Sequence, residues 1–352
     1  MYIFVRRRAS PSLAGLRSPH PFVAVSKPYF RQSTPDQAPK VFVYENPAVD
    51  WSGLVDCYRE KHGVSPWRDE SDEHAQNMAE VWVHQGLLRH PMRTRDPGEA
   101  SLFFLPLYVT ISSDADPHLG SLLCGGQSHQ ERMDAALDFL EKESTHFSQY
   151  GGANHFFVCA WWRCGAALGD RARAVLSRTV LGIQESPPEN NYWARWECVN
   201  RVVTVPYVSS SRIPTALFAD EEEYTGRNRT TPFYFAGRAR GRPERENLLG
   251  IKAVYPDSII AVSSWEWNET PESYGEHISR SQFCLCPRGD TMTSRRLFDA
   301  VAAGCIPVVG RSQMSRGSVR FLDEIAYSEL AVILPDASFT SVPNVKKFAR
   351  AL

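Results

Sequence analysis

The chain has no pair of cysteines in C-x-x-C spacing and no Cys/His cluster at zinc-binding intervals, which argues against a structural zinc site. It has no run of about 18 apolar residues, so no membrane-spanning helix is predicted. No G-x-G-x-x-G turn is present, which argues against a dehydrogenase, and no strict phosphate-loop motif occurs. Neither sign of charge is in excess: 39 Lys and Arg stand against 40 Asp and Glu, a net charge of -1. Without a global basic field, nucleic acid is not the expected partner. Internal repeats and heptad runs are also missing.

What is present suits a soluble α/β protein. At 352 residues the length suggests about two domains, and 43% hydrophobic residues suffice for sizeable cores. Eight cysteines are too few for a disulfide scaffold but allow a few bridges in an oxidising compartment. Cys284 and Cys286, two apart on a predicted strand, share one face and read as small core residues. Two glycosylation sequons, at Asn228 and Asn268, add weak support for a lumenal location. Residues 1–38 are proline-rich and read as a disordered leader. The first 22 of them, rich in Arg and Ser, have the composition of a transit peptide.

Along the chain, strand-like and helix-like stretches alternate. Lys40–Tyr44, Leu102–Tyr108, His155–Ala160 and Arg201–Tyr207 read as strands, with helices over 71–90 and 131–147. The alternation predicts a parallel sheet with helical crossovers. The triplet Asp114-Ala115-Asp116 matches a metal-holding pattern of one broad class of glycosyltransferases. Its Ser/Asp/Pro loop favours solvated turn chemistry instead. An acidic run, Ala219–Glu223, marks a plausible linker. The domains are accordingly set at 39–215 and 216–352. A new strand at Pro232–Ala236 leads into a turn with Gly237, Arg238, Arg240 and Arg242, then a helix containing Arg245.

The densest chemistry lies in 281–310. An apolar strand closed by Pro287 is followed by a turn, a helix ended by Gly304, and a second apolar strand, Cys305–Val309. Thr291, Thr293 and Ser294 are able to cap the helix start, whose N–H groups and dipole favour an anion. Arg295 and Arg296 in the first turn oppose that dipole, and an anionic ligand would offset the repulsion. Asp299, one turn on, suits a ribose hydroxyl. The plainer alternative is an ordinary βαβ unit with a solvated arginine pair. Two arginine-bearing turns, each at the carboxyl end of a strand, make an anionic ligand the stronger reading.

From about Lys40 to Leu334 the chain resembles the exostosin-like glycosyltransferases, glycosyltransferase family 47. The likeness is to the plant and algal branch that builds cell-wall polysaccharides. Arg93–Tyr108, Asn154–Val158, Phe235–Arg238 and, most closely, Ser281–Val309 carry the resemblance, in the family's order. It implies a GT-B fold of two facing Rossmann-like domains, the C-terminal one cut short here. It implies an inverting transfer without a catalytic metal or other cofactor, from a nucleotide-sugar donor, a UDP-sugar, to a polysaccharide or glycoprotein glycan acceptor. Arg238, Arg240 and Arg296 are expected at the diphosphate, Thr291 and Ser294 beside them, and Asp299 at the ribose. A Golgi location and assembly with itself or with other glycosyltransferases are further implications. Where the family commonly has His-Asp-Trp-Gly, this chain has Trp161-Trp162-Arg163-Cys164. That leaves His155 as the one weak candidate for a catalytic base, and its apolar strand favours a structural role. The departure motivates a second reading, a non-catalytic binding or assembly partner.

Overall fold

A computed structural model describes residues 39–65, 75–113, 122–161, 164–184, 202–210, 213, 229–239, 241–262, 271–289, 292–314 and 326–352. The first half contributes β1 (Val41–Val43), α1 (Leu54–His62), α2 (Ala79–Leu88), β2 (Arg93–Thr94), β3 (Leu102–Phe104) and α3 (Val109–Ser112). It continues with α4 (His129–Lys142), α5 (Thr145–Tyr150), β4 (His155–Val158), α6 (Cys164–Val175), β5 (Val180–Ile183) and β6 (Val202–Thr204). The second half contributes β7 (Thr231–Ala236), α7 (Pro243–Glu246), β8 (Ile259–Ala261), α8 (Pro271–Arg280), β9 (Ser281–Leu285) and α9 (Arg295–Ala303). It ends with β10 (Ile306–Gly310), α10 (Tyr327–Leu330), β11 (Val332–Leu334) and α11 (Val342–Ala351).

The strands form two sheets, each parallel throughout. The first runs β2-β1-β3-β4-β5-β6 and the second β11-β10-β9-β7-β8. Counted from its own first strand, each sheet winds 2-1-3-4-5, with one extra strand in the first. This is the expected α/β class, and two such sheets are consistent with a pair of Rossmann-like domains.

Strand composition explains why both faces of each sheet are covered. In β7, Phe233 and Phe235 enter one core while Tyr234 and Ala236 enter the other. In β9, Cys284 joins the Tyr234 side and Leu285 the Phe233 side. Side chains alternate along a strand, so a near-continuous apolar run is buried on both faces. The first sheet repeats the pattern, with Phe103 and Phe157 on one side and Phe104 and Val158 on the other.

Helix ends follow local chemistry. Ser128 and Glu131 form a capping box at the start of α4. The single helix expected over 131–147 is broken at Ser144, whose hydroxyl accepts from Phe147 N–H and starts α5. The helix expected over 71–90 is observed as α2, preceded by a short 3-10 turn at Ala75–Asn77. The last residues are not a loose tail: Val345, Phe348 and Ala349 of α11 pack into the core containing Phe233 and Leu248. Among the described residues three cysteine pairs are bridged: Cys57–Cys124, Cys159–Cys164 and Cys284–Cys305. No helix among the described residues is long and apolar enough to cross a membrane.

Candidate active site

The second sheet reverses its strand order at β7, with β8 on one side and β9, β10 and β11 on the other. In an open parallel sheet such a reversal leaves a crevice outside the carboxyl ends of the strands. Two turns border it here. One leaves β7 through Gly237 and Arg238. The other leaves β9 through Cys286 and Arg288 and reaches Ser294, where α9 starts.

Arg296 spans the gap between them. Its Nε donates to the Ala236 carbonyl at 2.8 Å, and its guanidinium carbon lies 5.2 Å from the Phe235 ring centroid. This close approach explains the glycine at 237, since a Cβ there would overlap the guanidinium. The Arg296 Nη1 also faces Ser294 Oγ at 3.4 Å. Ser294 has an extended backbone and its side chain does not cap α9. The helix start therefore keeps its positive dipole end directed at the crevice. The second turn is closed by Gly289 N–H donating to the Thr293 carbonyl at 3.0 Å. A Cβ at Gly289 would meet that carbonyl at 2.5 Å.

A buried arginine holds the two turns together. Arg245, only 7% exposed, donates through Nη1 to the Arg238 carbonyl at 2.5 Å and through Nη2 to the Arg288 carbonyl at 2.7 Å. Carbonyl oxygens that would repel an anion are thereby engaged by a cation behind them. A second tie is the Arg288 Nε to Glu244 Oε1 pair at 3.0 Å. Burial raises the Glu244 carboxyl, but its own backbone amide and Arg288 outweigh that and hold it below the usual range. The Arg238 side chain is exposed. The result is a cradle of two arginines and a helix start, suited to a diphosphate.

Residues 35–349 match the exostosin GT47 domain. The chain belongs to the exostosin GT47 family. It is 28% identical over 290 residues to a probable glucuronoxylan glucuronosyltransferase of Arabidopsis thaliana, covering 77% of this chain and 56% of that protein. Over 286 residues it is 27% identical to a probable glucuronosyltransferase of Oryza sativa subsp. japonica, covering 75% and 64% respectively. A probable beta-1,4-xylosyltransferase of Arabidopsis thaliana is 26% identical over 287 residues, again 75% of this chain and 64% of that protein. The chain thus spans 56% to 64% of the length of these relatives.

For this exostosin GT47 domain, the structure brings Arg238, Arg296 and Ser294 to one crevice. Arg240 and Thr291 lie outside the described residues, as do the Asp114/Asp116 triplet and both sequon asparagines. Asp299 is fully buried. Its Oδ1 accepts from Ser210 N–H at 2.9 Å, and its Oδ2 accepts from Tyr274 Oη at 2.7 Å and pairs with Arg295 Nε at 3.3 Å. Its carboxylate is therefore held from within the chain on both oxygens and is closed off from solvent. Cys286 lies behind the crevice as a free, buried thiol, pushed up to about 12 by burial and therefore unreactive.

His155 opens β4 at the amino end of its strand, whereas the crevice of a parallel sheet lies at the carboxyl ends. It is fully buried and stacked on Phe103 at 4.8 Å. Tyr44 Oη lies 3.0 Å from its Nε2, and Asn154 Oδ1 lies 2.9 Å from its Nδ1. Burial pushes this imidazole down to about 3, so it stays neutral in ordinary buffers. The segment in which this chain departs from the family's His-Asp-Trp-Gly follows β4. Here Trp161 is buried, and Cys159–Cys164 closes the loop around it with a Cα separation of 5.9 Å.

Sequence reading missed the roles of Arg245 and Tyr274. Arg245 was visible only as a member of a basic turn, and nothing in its spacing marks it as buried. Tyr274 finds its partner 25 residues away, beyond the range of any local pattern.

Proposed function

We propose that this chain transfers a sugar from a UDP-sugar to a glycan acceptor with inversion at the anomeric carbon. The observation that carries the reading is the arginine cradle at the strand-order reversal of the second sheet, held by Arg245. An acceptor hydroxyl attacks the anomeric carbon as its bond to the diphosphate breaks, UDP leaves, and the hydroxyl proton passes to water or to the departing diphosphate. Arg296, Arg238 and the start of α9 then take the growing charge, and the sequence offers Arg240 and Thr291 as further donors. Preorganised donors of this kind stabilise a leaving group without reorganising during the reaction. In this reading cationic side chains, rather than a divalent metal, neutralise the diphosphate, so transfer survives a chelator.

Family membership supports sugar transfer, and the relatives' names point to glucuronosyl or xylosyl groups and a xylan-type acceptor. Three bridged cysteine pairs suit an oxidising compartment such as the Golgi lumen. The test is to incubate the chain with UDP-glucuronate or UDP-xylose and xylo-oligosaccharides in the presence of a chelator. The expected result is an extended oligosaccharide of inverted configuration. Failure with every UDP-sugar would overturn the reading.

One observation favours a second reading. The acceptor-side segment is a bridged tryptophan loop where the family has a His-Asp pair. A non-catalytic assembly partner would keep the donor cradle and lose transfer. It would show thermal stabilisation by UDP, which follows from selective binding to the folded state, and no product with any acceptor.

A further inference from the structure

The segment leaving β6 passes from one core to the other within a few residues. Val208 packs with the first sheet and donates its N–H to the Gln76 carbonyl at 3.3 Å. Ile213 is already part of the second sheet's core, beside Tyr234 and Leu297. Between them Ser210, 4% exposed, donates its N–H to Asp299 Oδ1 at 2.9 Å. Tyr207 lies against Phe298, ring centroids 5.8 Å apart. The crossing is therefore fastened to two adjacent residues of α9, the helix whose first turn carries Arg295 and Arg296.

Asp299 is more than a hydrogen-bond acceptor for one amide. Tyr274 of α8 fills its other oxygen at 2.7 Å, and Arg295 closes on the same oxygen at 3.3 Å. A buried carboxylate so arranged favours one geometry over its neighbours, because any shift of the Ser210 segment leaves a buried charge less satisfied. We propose that Asp299 is a positioning residue. It latches the interdomain segment to the donor-site helix and so sets how the two sheets meet across the crevice. The proposal rests on the two-domain transferase reading for its consequence in catalysis, but the latch itself needs no ligand.

The experiment uses the whole chain, with dyes attached through non-cysteine handles at exposed Glu60 on α1 and exposed Lys252 beside the second sheet. Single-molecule energy transfer is recorded without nucleotide. The native chain should give one narrow distance distribution. Asp299→Asn, isosteric and uncharged, should broaden it, and Tyr274→Phe should broaden it less. Thermal stabilisation by UDP should persist in both variants, while the transfer rate falls about tenfold to 100-fold, as expected for misplacement of reactants.

An unchanged distribution in both variants overturns the latch. So does loss of UDP stabilisation in Asp299→Asn with an unchanged distribution, which would make Asp299 a ribose ligand. If Asp299→Asn does not fold, Tyr274→Phe decides by the same criterion. A native chain that ignores UDP counts against the transferase reading alone, and the nucleotide-free distances still decide the latch.

Discussion

At the strand-order reversal of the second sheet, the turns after β7 and β9 present Arg238, Arg296 and a helix start to the crevice. At the matching point of the first sheet, between β1 and β3, the polar groups are turned inward. Glu80 is 1% exposed and accepts from Thr110 N–H at 3.2 Å and Ile111 N–H at 3.1 Å. His84 Nδ1 meets Tyr108 Oη at 2.8 Å, and burial lowers this histidine's pKa. The turns after β1 and β3 are joined by Trp51 N–H donating to the Pro106 carbonyl at 3.1 Å. Two sheets of the same winding thus use their reversal points differently. One uses its polar groups to hold its own loops, and the other holds its loops with Arg245 and places Arg238 and Arg296 on the turns beside its crevice. A shared topology locates a crevice, and the side chains decide whether it becomes a site.

Four substitutions would break or sharpen this contrast. The largest effect on turnover is expected for Arg296→Ala, which should cost on the order of 2–4 kcal/mol of transition-state stabilisation. Steady-state kinetics with a UDP-sugar should show it mainly in kcat. An unchanged turnover would remove Arg296 from the site.

Next is Glu80→Gln, read as stability against pH. Burial, working against its backbone hydrogen bonds, pushes the Glu80 carboxyl up to about 8. Its folded pKa thus lies above the ordinary carboxylate value. Its contribution is fully present below about pH 4.5 and is lost as pH rises through about 8. Denaturant unfolding of the native chain should lose on the order of 3–5 kcal/mol over that window relative to Glu80→Gln. Parallel pH profiles for the two proteins would contradict the burial argument.

Third, Arg245→Leu should destabilise the chain by about 2–4 kcal/mol, because two carbonyls lose a charged donor. It should also weaken UDP binding although Arg245 itself is buried. Full UDP affinity in a folded Arg245→Leu protein would dissociate the clamp from the cradle.

The smallest effect belongs to His155→Leu, at about 1–3 kcal/mol of stability for the partners left behind, with UDP binding unchanged. Its folded pKa of about 3 lies below the ordinary value of 6.5, so its contribution is present above pH 6.5 and lost as pH falls through about 3. The variant should therefore lose part of the native chain's acid sensitivity, as measured by the unfolding midpoint between pH 6.5 and 3.

Much of the architecture was legible because strands such as Pro232–Ala236 and Phe283–Cys286 are apolar on both faces, which only a covered parallel sheet tolerates. The convergence of Arg238 and Arg296 was legible because each follows a strand, and strand carboxyl ends in such a sheet lie together. Local spacing could not show which arginine turns inward. Arg245 and Arg296 both stand in basic turns, and only the packing around Arg238 and Arg288 assigns the first to structure. The surroundings of Asp299 were likewise not legible in one dimension. Its partners Ser210 and Tyr274 lie 89 and 25 residues away, and such separations leave no local pattern. The break at Ser144 was missed because a helical apolar pattern continued across a residue that caps better than it propagates.

The central claim is that the second sheet's reversal point is an anion site and the first sheet's is not. Calorimetric titration of UDP against the native chain and the Arg238→Ala/Arg296→Ala double variant tests it most directly. Saturable binding to the native chain that weakens with added salt is expected, with an affinity loss of at least about tenfold, or about 1.4 kcal/mol, in the double variant. Equal affinity in the two proteins, or no binding to the native chain, would contradict it.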